Sequence, residues 1–154
     1  MYYLVTQYYT NYSTIEKTVQ NSIALLGQPG IGKTHLLIAL CHKLMQNDEK
    51  SVLYFPFVEG FDNLRSSFDK LEEKLTKMKK ADILFIDDLF KPVSKQRSNG
   101  ERMKIPQASE WEIKQVYAVV NSRYLNNKPI FISSELFLNE IIYVYEALGS
   151  RIYD

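Results

Sequence analysis

Cysteine, histidine, charge of one sign and long apolar runs are all scarce in this chain of 154 residues, and each scarcity excludes something. The single cysteine, Cys41, cannot form a disulfide within the chain. Two histidines, His35 and His42, do not make a structural zinc site with one thiol, and no ligand spacing suggests one. Nineteen basic against eighteen acidic residues leave a net charge of +1, so any nucleic-acid contact must be local. No apolar run approaches the roughly 18 residues that a membrane span needs. The opening MYYLVTQYYT has neither the charged nor the apolar region of a signal peptide, so the expected location is cytoplasmic, with no membrane partner. Internal repeats are absent. The only biased stretch is the tyrosine-rich start, Tyr2, Tyr3, Tyr8, Tyr9 and Tyr12, read as an arm or short helix over residues 1–20.

What is present is a regular alternation, in a chain long enough to bury roughly 70% of its unfolded surface. Residues 22–26 are a short apolar run ending at Gly27, and residues 33–46 carry Leu37, Leu40, Cys41 and Leu44 at helical spacing. Residues 51–55 are β-prone. Phe61, Leu64, Phe68, Leu71, Leu75 and Met78 follow three and four apart, which predicts one helix over 61–78, with Lys77, Lys79 and Lys80 suited to its negative end. Residues 83–86 read as a buried strand. Ser109 and Glu112 form a capping box for a helix striped by Ile113, Val116, Tyr117, Val120 and Tyr124, which Trp111 helps to pack. Residues 129–132 read as a fourth strand, followed by helical sequence to the end. Strands alternating with helices predict a parallel sheet covered on both faces. Residues 91–107, holding Pro92, Gly100 and Pro106, are the one long irregular segment.

Residues 27–34 read GQPGIGKT: Gly27, Gln28, Pro29, Gly30, Ile31, Gly32, Lys33 and Thr34 satisfy G-x-x-x-x-G-K-[ST] between a predicted strand and a predicted helix. The glycines permit backbone conformations that a side chain would block, so successive N–H groups converge on a phosphate. The helix start adds its own free N–H groups and dipole. Lys33, expected to face solvent until phosphate arrives, would reach the β- and γ-phosphates of ATP, and the Thr34 hydroxyl would bind Mg²⁺. The second half of such a site is an acid at the end of a buried strand. The run Ile83-Leu84-Phe85-Ile86-Asp87-Asp88 supplies two: Asp87 for the metal and Asp88 to polarise an attacking water. A guanine-reading N-K-x-D loop is missing, since Asn127-Lys128-Pro129-Ile130 lacks the aspartate, and no D-x-x-G follows the acids. A small-molecule kinase, with residues 91–104 as its lid, is a minor alternative.

The segments GQPGIGKTHLLIAL, ILFIDDL, PIFISSE and ALGSRIYD resemble, in that order, the Walker A, Walker B, sensor 1 and arginine-finger regions of an AAA+ ATPase domain. The family is that of the bacterial replicative helicase loaders, the DnaC/DnaI type, and the related IstB transposition helpers share these marks. The resemblance covers residues 21–154. It implies an α/β P-loop NTPase fold, a three-layer sandwich with a parallel sheet flanked by helices. It implies an ATPase of the primosome in DNA replication, with a replicative DNA helicase as partner. Carried over by residue, it implies that the loop through Lys33, Thr34 and His35 holds ATP, that Thr34 and Asp87 hold Mg²⁺, and that Asp88 serves the water. It also implies that Arg151, remote from its own loop, is an arginine finger for a neighbouring subunit in a self-assembly.

Two departures matter. Ser133-Ser134-Glu135 puts an acid where the family carries its sensor 1 asparagine, so either Ser134 takes that role or hydrolysis is weak, as in an ATP-binding adaptor. Against that family the sequence stops at Asp154, before the last strand and sensor 2 arginine, and without the N-terminal helicase-binding region, so it reads as a fragment or a natural short form. Loaders of this kind touch single-stranded DNA, and Lys91, Lys95, Arg97, Arg102 and Lys104, with Glu101 the only acid, form the candidate basic loop. A plain solvated loop is the simpler reading. Tyr8, Tyr9 and Tyr12 either cover an adenine ring or pack as a helix. Cys41 is expected to be inert and His42 structural.

Overall fold

The computed structural model describes residues 1–154. In chain order its elements are α1 (Tyr2–Ile15), β1 (Ile23–Leu26), α2 (Lys33–Asn47), β2 (Val52–Pro56), α3 (Phe57–Gly60), α4 (Phe68–Lys80) and β3 (Ile83–Asp87). There follow β4 (Pro92–Gln96), β5 (Arg102–Pro106), α5 (Glu110–Leu125), β6 (Ile130–Ser134), α6 (Leu138–Val144) and α7 (Glu146–Tyr153).

Two apolar runs are buried along their whole length, β3 and β6, and they form the middle of the sheet. They pair in parallel with each other, β1 joins β6, and β2 joins β3, giving the order β1-β6-β3-β2. Successive side chains point to opposite faces. On one face Ile23, Leu25, Ile83, Phe85 and Phe131 share a core with Val5, Tyr8 and Tyr12 of α1 and Leu37, Leu40 and Leu44 of α2. On the other, Leu84, Ile86, Ile130 and Ile132 share one with Val116, Val119 and Val120 of α5, Ile141 of α6 and Leu148 of α7. This is the three-layer α/β sandwich with a parallel sheet that the sequence predicts. No helix is long and apolar enough to cross a membrane.

The tyrosine-rich start is a helix, and three of its tyrosines are used in packing. Tyr8 lies edge-on to Phe131 and its hydroxyl donates to the Asn21 carbonyl. Tyr12 is buried, and the Tyr9 hydroxyl accepts from Asn47 at 2.8 Å. Cys41 is buried too, and burial pushes its thiol up to about 12, which fits an inert core residue. The Ser109–Glu112 capping box forms as read, with reciprocal bonds of 3.2 and 2.9 Å.

Two expectations are corrected. The helix predicted over 61–78 begins only at Phe68, capped by Ser67. Residues 61–66 are turns, with Asn63 at φ 65°, and Phe61 is buried because its ring meets Phe55, Phe57 and Trp111 edge-on. A turn packed on the core thus placed Phe61 and Leu64 at spacings that imitate a helix. The irregular segment 91–107 is an antiparallel hairpin, β4 paired with β5, with Gly100 at φ 87° in its turn. Most of β4 is exposed, so it lacks the alternation in burial that marks a strand from sequence.

Arg123 holds the base of the sandwich. Fully buried in α5, its guanidinium donates to the carbonyls of Met78 (3.0 Å), Lys79 (3.4 Å), Ala81 (2.6 Å), Asp82 (3.0 Å) and Pro129 (2.7 Å). Those groups include the last carbonyls of α4, which have no partner within the helix. Burial lowers the guanidinium to about 10, still charged at neutral pH. Arg123→Met should therefore destabilise the domain by about 3 kcal/mol, because it leaves several buried carbonyls unpaired. Arg123→Lys should recover only part, since an ammonium cannot fork. Urea unfolding midpoints at a common slope check this; a loss below about 1 kcal/mol would contradict it.

Candidate functional site

The site forms where β1, β3 and β6 end and α2 begins. After Leu26 the chain passes through Gly27, Gly30 and Gly32 at φ 119°, 76° and 86° before α2 starts at Lys33. Gly32 occupies the N-cap in the left-handed region with no side chain capping the helix, so the first-turn N–H groups of α2 keep their donor capacity for an anion. Gly27 is required twice over. Its φ is left-handed, and a Cβ there would meet the Phe137 ring at 3.0 Å.

Lys33 does not face solvent, contrary to the expectation from sequence. It is 6% exposed, and its Nζ donates to the Gly27 carbonyl at 2.8 Å and to the Gln28 carbonyl. Burial holds its pKa below the usual lysine value, while the carboxylates of Glu135 and Asp88 act the other way. The reason it folds back is electrostatic: the loop's carbonyls are the nearest acceptors for a desolvated ammonium.

Asp87 is the centre of the arrangement. It is buried at the end of β3, and three hydroxyls from three other elements point at its carboxylate. Thr34 Oγ1 of α2 donates to Oδ1 at 2.8 Å, Tyr54 of β2 donates to Oδ2 at 2.7 Å, and Ser133 Oγ of β6 donates to Oδ1. Tyr54 is itself held neutral to higher pH than usual, first by burial and then by this bond. Ser133 Oγ also accepts from the Asp88 N–H at 2.9 Å. Asp88 follows at φ 54°, a left-handed position that aspartate tolerates better than most residues, with its carboxylate 3.7 Å from Lys91 Nζ.

The residues read as one site from sequence are thus partly together and partly apart. The loop, Lys33, Thr34, Asp87 and Asp88 converge. Ser134 does not join them: its hydroxyl donates to the Leu89 carbonyl at 2.7 Å and accepts from the Leu136 N–H at 3.1 Å. The face of the sheet decides this. Phe131 and Ser133 point toward α2 as Phe85 and Asp87 do, whereas Ile132 and Ser134 point to the α5 side. His35 is exposed on α2. Arg151 lies elsewhere, its Nε donating to Asn121 Oδ1 at 3.0 Å and its guanidinium stacked 4.5 Å over Tyr124. There it lines a cavity of about 260 Å³ with Asn21, Ser22 and Ile130, at the start of β1 and β6 and so at the opposite end of the sheet from the loop.

Of the basic segment, Lys95, Arg97 and Arg102 are exposed along the hairpin. Lys91, just before β4, is 3.7 Å from Asp88, and Lys104, at the middle of β5, donates to the Glu135 carbonyl at 3.0 Å. Tyr54 and Ser133 are the functional candidates that sequence reasoning missed. The alternation along β6 contains the signal for Ser133. Tyr54 needs the β2–β3 register, which sets it beside Phe85 and two residues short of Asp87.

Residues 9–151 match the family model of the bacterial DnaA ATPase domain. The phage-like element PBSX protein XkdC of Bacillus subtilis (strain 168) is 53% identical over 148 residues, covering 96% of this chain and 52% of that protein. The chain spans about half the length of the curated relatives of this similarity. Among solved structures, DnaI superposes with a TM-score of 0.73 at 23% identity, covering 98% of this chain and 77% of that one. The replication initiator DnaA bound to AMPPCP and single-stranded DNA superposes at 0.70 with 21% identity, covering 98% and 42%. At these identities the structural likeness speaks for the fold alone, the three-layer α/β sandwich with a parallel sheet.

The two serines should separate in experiment. Ser134→Ala should cost about 1 kcal/mol of stability and leave ATP affinity within about twofold. Ser133→Ala should weaken Mg²⁺-ATP binding by about tenfold, since it removes a group that orients both acids. Titration with a fluorescent ATP analogue beside thermal unfolding checks the pair, and the reverse pattern would contradict it.

Proposed function

The chain belongs to the bacterial DnaA ATPase-domain family, and from that premise we propose that it is an ATP-binding and ATP-hydrolysing AAA+ domain that acts as a replicative helicase loader in DNA replication. The observation that supports the nucleotide site in this reading is the 2.8 Å bond between Thr34 and Asp87, 53 residues apart in sequence, directly after the glycine loop and Lys33; the loader role is taken from the likeness to DnaI. A hydroxyl and a carboxylate at this distance are hard oxygen donors of the kind Mg²⁺ takes alongside phosphate oxygens and water, so the donor set fits the ion. Bound there, Mg²⁺ would neutralise charge on the phosphates.

The chain's own groups supply the rest. Lys33 exchanges the carbonyls of Gly27 and Gln28 for oxygens of the β- and γ-phosphates, an exchange of weak acceptors for charged ones. Asp88 orients a water in line with the terminal phosphorus and accepts its proton. The new bond runs from the water oxygen to phosphorus, the bond to the bridging oxygen breaks, and ADP and phosphate leave. Ser133 and Tyr54 position the two acids. Arg151, remote from Thr34 and Asp87, is assigned to the nucleotide of a neighbouring copy, the arginine-finger role, and so to self-assembly. Lys95, Arg97 and Arg102 are assigned to single-stranded DNA, and the partner to be loaded is a replicative helicase.

A second reading has one specific observation in its favour. Glu135 follows directly after β6, at the same end of the sheet as the phosphate loop, and its negative charge favours the charged form of Lys33, which suits an ATP-binding adaptor with weak hydrolysis. Steady-state phosphate release, with and without single-stranded DNA, separates the two readings. On the first, Asp88→Asn should lower turnover about a hundredfold or more while Mg²⁺-ATP affinity stays within about twofold. Turnover unchanged by Asp88→Asn would reduce the second carboxylate to a structural role.

A further inference from the structure

The hairpin carries one cation inward. Lys104, on β5, has its Nζ 3.0 Å from the Glu135 carbonyl, to which it donates, 3.7 Å from Glu140 Oε1 and 5.1 Å above the centre of the Phe137 ring. That same ring lies against Gly27, where a Cβ would meet ring carbons at 3.0 to 3.7 Å. Gly27 opens the phosphate loop, and its carbonyl is one of the two that hold Lys33. A single aromatic ring therefore stands between the Lys104 ammonium and the mouth of the loop.

The contacts that hold Lys104 are ones it can leave at small cost. The side chains of Lys104 and Glu140 are each about a third exposed, and ion pairs of that kind contribute below about 1 kcal/mol. Glu140 keeps a partner without it, because its Oε1 accepts from the Phe137 N–H at 3.1 Å at the start of α6. The Glu135 carbonyl belongs to a partly exposed residue that water can reach. A terminal phosphate offers a lysine more charge than either acceptor.

We propose that Lys104 is a further nucleotide-contacting residue, delivered by the hairpin to the terminal phosphate of a bound nucleoside triphosphate and making no contact with a diphosphate. The proposal rests on the nucleotide-site reading above and adds to it a residue that distinguishes triphosphate from diphosphate. The neighbouring Lys95, Arg97 and Arg102 then share a two-stranded unit with the residue that reads the terminal phosphate.

The test compares the parent, Lys104→Met and Lys104→Arg in titrations with AMPPCP and with ADP, each with Mg²⁺. The parent should bind AMPPCP more tightly than ADP. Lys104→Met should weaken AMPPCP by about tenfold, leave ADP within about twofold, and unfold at the parent's temperature; Lys104→Arg should restore most of the loss. Should Lys104→Met fail to fold, Lys104→Gln, which keeps a donor for the Glu135 carbonyl, is judged by the same ratio. Equal weakening of both nucleotides, or an undiminished preference for AMPPCP in the variant, would overturn the proposal and leave the nucleotide site standing. A parent that binds both equally would overturn it too. A parent that binds neither would overturn the site reading itself.

Discussion

A carboxylate buried at the end of a strand must be satisfied by hydrogen bonds, and Asp87 imposes that constraint on everything around it. Its donors come from α2, β2 and β6, one hydroxyl each. Three segments far apart in sequence are thereby registered on the end of β3, and the phosphate loop is registered with them because Thr34 sits in the first turn after it. The parallel sheet makes this possible. Only with β2, β3 and β6 running the same way do Tyr54, Asp87 and Ser133 reach the same end on the same face.

Around that centre the charges are arranged in opposed pairs. Lys33 sits against its own loop's carbonyls with Glu135 and Asp88 in its field, Asp88 meets Lys91, and Lys104 meets Glu140. Lys91 lies just before β4, and Lys104 lies at the middle of β5 opposite Ser94, so the hairpin contacts both the acid next to the loop and the segment after β6.

Much of this was legible in the sequence, for reasons that differ by residue. The strands at Ile83 and Ile130 are short apolar runs buried on both faces, and such runs announce themselves. The phosphate loop is legible because its glycines, lysine and threonine have no other common reason to occur at that spacing between a strand and a helix. What was not legible depended on which face a residue takes or on a partner far away. Ser133 and Ser134 look alike in sequence, and only the alternation along β6 assigns the first to Asp87. Tyr54 is half exposed on an edge strand, where a tyrosine needs no special explanation. Arg123 shares the stripe of Val116 and Val120, a core position given to a cation, and its five carbonyl partners are known only once α4 and β6 meet. The hairpin was missed because exposed strands that pair only with each other leave no burial pattern.

The central claim is that the loop, Lys33 and the Thr34–Asp87 pair form one nucleotide site. The most direct measurement is titration of a fluorescent ATP analogue, with and without Mg²⁺, into the parent and Lys33→Ala, with thermal unfolding of both recorded alongside. The account predicts Mg²⁺-strengthened binding by the parent and none by a fully folded Lys33→Ala. Equal affinity in the two proteins would contradict it.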